Sequence, residues 1–494
     1  MKKHRLHARN AAAFMQALLL AAIALLTACS GGGGNTASTT AAAGDTVTEE
    51  VVTGETTLPS NLPPSDFDGF ELTFLRSEKF FTEKGIYSEE LTGDPVPDAI
   101  YERNLKIETD YNCKITVLET QTRYPADDVA KYVLAGDDTV DVNLCGGTFT
   151  ARRISDYLAL NQLTYFDFSK PWWNERFNNG ISLGGNVYFT VGDHMILAKQ
   201  NLYFIIFNKD IATDYGMDPE GFYQHVYDDE WTLDRLSSYA RTVKDDLNGD
   251  GVYDVNDLWG LLGENYCTWT LALGSGFRCA EKDGDDLPYI TFDSEKNMQV
   301  IDKVFALTAD RDTTYFAQRF KGTSDVWKEY SRMFTAPQWL FIIAGLGNSM
   351  RKAEFDYGLV PTPKFTETQE YYYHDASLGN NPVMSIPVSA SSPDTVSFII
   401  EAMAYESHYM VMPVFYDNYL HTKLARDEES VEMLRMIHGS LFYDIGSLFD
   451  WGSMRMIVEN LPDKAENTFA STYAASAGKI QADLEVTLKM IADK

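Results

Sequence analysis

The chain has 494 residues, 72 of them acidic and 41 basic, and a formal net charge of −31 at neutral pH. An acidic balance of this size argues against nucleic acid as a partner, because phosphate backbones are held by basic patches. Eight histidines and five cysteines fit no zinc-ligand spacing, and no G-x-S-x-G, H-E-x-x-H or P-loop string occurs, so those catalytic and nucleotide-binding chemistries lack a motif.

The first 29 residues read as an export signal. Lys2, Lys3, Arg5 and Arg9 precede an apolar stretch, roughly Ala11 to Leu26, that ends in Leu26-Thr27-Ala28-Cys29. A charged start, a short apolar run and small residues before a cut describe a secretory signal peptide. The apolar run of about 16 residues is short for a span, which needs about 20. A cysteine directly behind the small residues resembles the lipobox of bacterial lipoproteins. That resemblance implies removal of residues 1–28, acylation of Cys29 and a lipid-anchored position on the outer side of the cell membrane. Loss of the leader takes four basic residues from 41 and leaves 37 against 72 acidic ones.

Residues 29–67 run through Ser30-Gly31-Gly32-Gly33-Gly34 and a Thr/Ala/Gly/Glu stretch to Pro63-Pro64. Large apolar side chains are scarce there, so burial cannot offset conformational entropy, and the segment reads as a flexible tether. The body from Asp68 to Lys494 is long for one core, and two lobes are expected. Solubility accounts for its acidic charge.

In chain order, Glu71–Leu75 reads as a strand and Pro97–Tyr111 as an amphipathic helix with Ile100, Ile107 and Tyr111 inward. Lys114–Leu118 is a second strand. Asp127–Leu134 is a short helix with Ala130, Val133 and Leu134 inward, and Val140–Leu144 is a third strand. Strand and helix in alternation describe a doubly wound α/β lobe. Ligands of such sheets bind beyond the carboxyl ends of the strands, which selects Arg76-Ser77-Glu78 and Gly146-Gly147-Thr148. Asn201–Phe207 opens a second region. Thr232 is placed to cap a helix that aligns Leu233, Leu236, Ala240 and Val243. Helices are expected over Lys296–Thr308 and Ser324–Phe334, a buried strand over Leu340–Ala344, and an extended run over Pro382–Val388. Ser392-Pro393-Asp394 has the form of a helix start, with serine as the cap. The tail from about Tyr405 is mainly helical.

Four cysteines remain in the body. Cys267 and Cys279 have the spacing to close a short loop, whereas Cys113 and Cys145 sit beside apolar strands and read as small buried hydrophobes.

Several stretches, in order, resemble the type II periplasmic-binding-protein fold, and specifically the solute-binding lipoproteins of carbohydrate ABC importers. They are Leu134-Ala-Gly-Asp137 with Val140-Asp141-Val142, Ser169–Trp173 with Gly185–Asp193, Phe207–Asp210 with Trp231–Asp234, Asp356–Pro363, and Ile386–Ala390. The match spans nearly all of Phe70 to Trp451. It implies two hinged α/β lobes with a helical C-terminal segment: lobe I from 68–192 and 384–440, lobe II from 200–380 and 445–494. It further implies a monomer that closes on a solute, most naturally a sugar or oligosaccharide, hands it to membrane permease subunits, and catalyses nothing.

Asp246-Leu-Asn248-Gly-Asp250-Gly-Val252-Tyr-Asp254-Val-Asn-Asp257 carries the most specific local chemistry. Counted from Asp246, side-chain oxygens fall at positions 1, 3, 5, 9 and 12, glycine at 6, and the Val252 carbonyl at 7. This is the pattern of an EF-hand type calcium loop, with Asp257 in place of the usual glutamate. A structural Ca2+ is expected; a solvated turn is the plainer alternative.

Sugar sites combine aromatic platforms with polar hydrogen-bonding groups. Trp269, among polar residues and glycines, and Trp451, late in the chain, are the first candidates, followed by Asn348 and Asp193, with Glu78, Arg76 and Thr148 from the strand ends. Trp231 reads as a packing residue beside a helix cap, the Trp172-Trp173 pair suits packing as well as binding, and Tyr371-Tyr372-Tyr373 suits a rim. A peptide or other polar solute, or an extracellular carbohydrate hydrolase, is the competing assignment. The hydrolase needs two carboxylates at a set separation, which 72 acidic residues neither supply nor deny.

Overall fold

The computed structural model describes residues 57–319, 333–345, 350–418 and 425–492. Its first sheet grows from a βαβαβ run: β1 (Phe70–Ser77), α1 (Pro95–Tyr111), β2 (Cys113–Thr120), α2 (Pro125–Ala135) and β3 (Val142–Gly146), followed at once by α3 (Gly147–Ala151). Its second sheet contains β4 (Tyr203–Asn208), β5 (Lys244–Asp245), β6 (Leu258–Gly263), β7 (Thr314–Phe316), β8 (Trp339–Gly345) and β9 (Tyr357–Val360). The helices α4 (Leu233–Ala240) and α5 (Asn265–Gly274) interrupt it. After β10 (His374–Asp375) the chain returns to the first sheet as β11 (Pro382–Ser385), then forms α6 (Pro393–Glu406). The tail holds α7 (Glu428–Gly439), β12 (Leu441–Phe442), α8 (Met454–Glu459) and α9 (Phe469–Ala492).

The first sheet has the order β11-β3-β1-β2. β1 runs parallel to β2, from Phe70 opposite Cys113 to Ser77 opposite Thr120, and parallel to β3 at Phe74 opposite Val142. β11 is the antiparallel edge, with Pro382 opposite Gly146; a proline at the first residue of an edge strand deprives no ladder of a donor. The second sheet has the order β9-β4-β8-β6-β5, with β7 beside β6. Its inner strands β4 and β8 are apolar without alternation because both faces are covered: Phe204, Ile205, Phe207 and Phe341 through Ile343 are fully buried.

Between the sheets the chain crosses in extended form. Thr190 and Met384 exchange backbone hydrogen bonds of 3.0 and 2.9 Å, and β10 pairs with β12. Burial holds His374 neutral, with a pKa near 3; its Nε2 accepts from Thr362 N at 3.0 Å and its Nδ1 contacts Ser440 Oγ at 2.7 Å. Beside the first crossing, the buried Glu83 carboxylate accepts from Gly85 N, Ile196 N and Leu197 N at 2.8 to 3.0 Å. Gly85 is required here, because a Cβ would lie 2.7 Å from His194 O.

Most expected elements form, and several details differ. Thr232 caps α4, accepting from Arg235 N at 3.3 Å. Ser392 makes no cap hydrogen bond; Pro393 alone opens α6, and Asp394 accepts from Thr164 N instead. In α2 the buried face is Pro125, Ala126 and Val129, with Val133 packed beside it, while Leu134 is 91% exposed because it points to the opposite side of the helix. The helix α7, expected in the first lobe, packs on β9 of the second: Ser430 Oγ accepts from Leu359 N at 3.2 Å, and Asp427 pairs with Lys209 at 2.6 Å. All four body cysteines are free and buried, so no Cys267–Cys279 bridge forms. The helix expected over 324–334 falls largely outside the described residues, as do Cys29 and Asn348. No helix among the described residues is long and apolar enough to cross a membrane.

Candidate functional site

The turn after β3 meets the segment that leads into β11. Gly146 and Gly147 leave room for the chain at Leu378-Gly379; a Cβ on Gly146 would come 2.6 Å from Gly379 O, and one on Gly147 2.9 Å from Leu378 O. Gly147 N donates to Asn381 O and Thr148 N to Leu378 O, fixing the approach. Gly379 in turn faces Thr148 Oγ1 and Arg455 Nη1, 3.7 and 3.3 Å from the position a Cβ would take. Thr148 is thereby set beside a guanidinium that arrives on α8.

Arg455 lies 5.6 Å from the centroid of Tyr266, on the first turn of α5 in the second lobe. The Tyr266 hydroxyl donates to Asp375 Oδ2 at 2.5 Å, and Tyr203 of β4 packs on its ring at 4.9 Å. Glu264 caps α5: its carboxylate accepts from Tyr266 N at 3.1 Å and from Gln318 Nε2 at 3.2 Å. Glu459, one turn beyond Arg455, places Oε1 3.2 Å from its Nε, and Asp450 Oδ1 accepts from Arg455 N. Burial pushes the carboxyl groups of Glu264, Asp375 and Asp450 upward and that of Glu459 to about 7. Burial alone would weaken the Arg455 cation, but Glu459, Tyr266, Asp450 and Asp375 more than offset it and raise its pKa.

An aromatic shelf lies near this cluster, at the carboxyl ends of β1 and β3. Tyr124 and Phe149 stack at 3.7 Å between centroids; Arg123 sits over Phe80, Phe81 and Tyr124 at 5.4 to 5.9 Å. Phe80 and Phe81 are 40% and 38% exposed, and Phe81 holds a left-handed φ of 47°. Gly146 and Gly379 border both shelf and cluster. Partly exposed rings near polar groups suit a solute with apolar C–H faces and hydroxyls.

Of the residues selected from sequence, Thr148 lies in this site. Arg76, at the end of β1, instead pairs with Glu119 at 2.7 Å and donates to Glu83 O, and Glu78 is exposed outside the cluster. Trp269 is 1% exposed within α5, packed on Phe277, and offers no ring face to a solute. Trp451 is 3% exposed; Phe449 stacks on it at 5.2 Å and its Nε1 donates to Thr487 on α9, so it anchors the C-terminal helix. Asp193 is buried between Lys199 and His408, at 3.2 and 2.6 Å, and ties the first crossing to the helical layer after α6. Trp231 packs in the core, its Nε1 donating to Pro361 O. Trp172 and Trp173 both donate to the buried Glu401, at 2.7 and 2.8 Å. Tyr371 is partly exposed, Tyr372 is buried, and Tyr373 stacks against Arg278.

Tyr266, Asp375, Arg455 and Glu459 escaped the sequence reading. The one available signal was Arg455 and Glu459 at i,i+4 on a short helix, a spacing common on solvated faces.

The 246–257 loop curls around its own side chains. Asp246 accepts from Gly249 N and Gly251 N at 2.7 and 2.8 Å; Asp257, fully buried, accepts from Leu247 N and Asp254 N. Asn248 Nδ2 donates to Asp250 at 3.0 Å, Asp254 accepts from Asn256 N, and Val252 is 60% exposed. Gly251, at the sixth position, has φ of +76°. Among the described residues, no group of three or more His, Cys, Asp or Glu side chains is placed to hold a metal ion.

Two solved structures share this architecture over their whole length. The ABC substrate-binding protein Lmo0181 of Listeria monocytogenes, in complex with cycloalternan, superposes with a TM-score of 0.51 at 13% identity, covering 86% of this chain and 100% of that one. UspC of M. tuberculosis gives a TM-score of 0.54 at 13% identity, covering 84% and 100%. The chain has the two-lobed fold of ABC substrate-binding proteins. No family model and no curated protein matches the sequence. The cluster around Arg455 borders the turn at the carboxyl end of β3 through Gly379 and Thr148.

Proposed function

We propose that the chain is the substrate-binding component of an ABC importer and takes a sugar or oligosaccharide between its lobes. The observation that supports this reading, beside the fold, is the cluster in which Thr148, Tyr266 and Arg455, from three distant segments, come together next to a partly exposed aromatic shelf. A solute that touches both lobes stabilises the closed arrangement by its differential affinity, and a permease can then read the closed form. The Listeria neighbour was solved with a carbohydrate, cycloalternan, which supports the same solute class here. The test is a thermal-shift screen of the purified chain against mono- and oligosaccharides and short peptides. A sugar should raise Tm with concentration as RT ln(1 + [L]/Kd). A response to peptides and to no sugar rejects the solute class.

Three further properties belong to the proposal. Cys29, outside the described residues, is the lipid attachment point that holds the protein at the outer membrane face. The protein acts as a monomer towards its permease subunits. The 246–257 loop holds a structural Ca2+ through Asp246, Asn248, Asp250, the Val252 carbonyl, Asp254 and Asp257; the alternation of oxygen side chains and the left-handed Gly251 support this.

A further inference from the structure

Arg123, on the aromatic shelf, differs from the basic residues around it. Arg76 pairs with Glu119, Lys131 with Asp128 and Arg153 with Asp127, at 2.6 to 2.9 Å. Arg123 is exposed and pairs with no carboxylate among the described residues; its guanidinium lies over Phe80, Phe81 and Tyr124. Phe81 holds its place there at a left-handed φ of 47°, a costly conformation for a bulky side chain. The ring stacked on Tyr124 has a guanidinium of its own, since Arg152 lies 5.7 Å from the centroid of Phe149. Arg152 is half exposed, and its carboxylate neighbour, Asp450, is 3.6 Å away, beyond hydrogen-bond reach. Both cations border open space. Arg123 lines a crevice with Phe81, Gly146 and Phe149, and Arg152 lines a hollow of about 350 Å³ with Trp451 and Lys479. Lys479 is a third cation there, already paired with Asp483 at 2.8 Å. In a chain with 72 acidic residues and 41 basic ones, two guanidiniums left open beside one stacked pair of rings reverse the charge locally.

The kind of anion follows from the rings. A guanidinium packed on an aromatic face keeps its in-plane N–H groups free, and these match a carboxylate bidentately. Aromatic faces take the C–H face of a sugar ring. The carboxylate of a uronic acid projects from the ring edge, so one sugar unit can use an aromatic face and a guanidinium together. A neutral sugar would leave both guanidiniums to water, and a sugar bearing an ammonium group would meet like charge. Guanidiniums on two neighbouring rings fit successive uronates of one chain. We infer that the shelf selects acidic oligosaccharides, whose uronate carboxylates pair with Arg123 and Arg152. This rests on the carbohydrate reading above and narrows it.

The test is titration calorimetry of the purified chain with trimers of galacturonate, mannuronate and guluronate, their methyl esters, and maltotriose. Tricarballylate is the further probe, carboxylates without a sugar. The best-bound uronate should bind about tenfold or more tightly than its own methyl ester, the range of one charge-assisted hydrogen bond. Added salt should weaken the acid and spare the ester. Arg123→Gln combined with Arg152→Gln should collapse the ratio of the two affinities towards one. The wild-type ratio and its salt dependence decide the matter alone if that variant does not fold. Equal binding of acid and ester, binding of maltotriose alone, or a ratio that survives the double substitution overturns the acid selection and leaves the carbohydrate reading standing. No oligosaccharide bound, with or without tricarballylate, also overturns the acid selection; the carbohydrate reading falls with it only if the thermal-shift screen finds no sugar.

Discussion

Glu401 offers a sharp test of how the first lobe is held together. It sits on α6, 1% exposed, with one carboxylate oxygen on the Trp172 indole and the other on the Trp173 indole. Burial outweighs the two indoles and the Asp167 amide, which also donates to it, and lifts its pKa from 4.5 to about 7. Between those values the folded protein keeps a proton that the unfolded chain has released, so stability falls as pH rises through the window. Integrated from pH 5 to pH 8, this one group should remove about 2 to 3 kcal/mol of stability. The measurement is urea unfolding of the wild-type chain and Glu401→Gln at pH 5 and pH 8. Other titrating groups cancel in the difference between the two proteins. The wild type should lose about 2 to 3 kcal/mol more than the variant on going to pH 8. A difference that is the same at both pH values would refute the assignment of Glu401 as a buried acid.

Trp269→Ala should destabilise by about 3 to 5 kcal/mol through the cavity it opens, with solute affinity per folded molecule unchanged; calorimetry on the folded fraction separates the two. Arg455→Met should weaken the stabilising sugar by about tenfold or more, since it removes charge-assisted donors, and titration reads the loss directly. Chelator should lower Tm and added calcium restore it, while Asp250→Ala should make the protein indifferent to both. Cys29→Ser should move the protein from the membrane fraction to the soluble fraction of expressing cells, as seen by immunoblot.

Local structure was legible in the sequence where one period or one cap decided it. The alternation from β1 to β3, the Thr232 cap and the unbroken apolar runs of β4 and β8 each follow from short-range pattern. Position on a face was harder: Ala130 and Leu134 are four apart and apolar, but the core takes the stripe of Ala126, Val129 and Val133, which leaves Leu134 exposed on the other side. Ser392 has the residue type of a cap without making the bond. The position of Thr148 was legible because it follows a glycine pair at the end of a parallel strand. Asp375, Tyr266 and Arg455 were not, because three distant segments meet there and none carries a motif. Tryptophans drew attention for their stacking faces, yet Trp269 and Trp451 fill cores, where large aromatics are most useful. The exposed rings belong to Phe80 and Phe81, in a loop with no periodic signal.

Small-angle scattering, with and without the sugar that stabilises the chain most, tests the account most directly. The account predicts a smaller radius of gyration at saturating sugar, recovered intact afterwards, and no such change with Arg455→Met at the same concentration. A radius that ignores a bound sugar, or a sugar recovered as cleaved product, would contradict it.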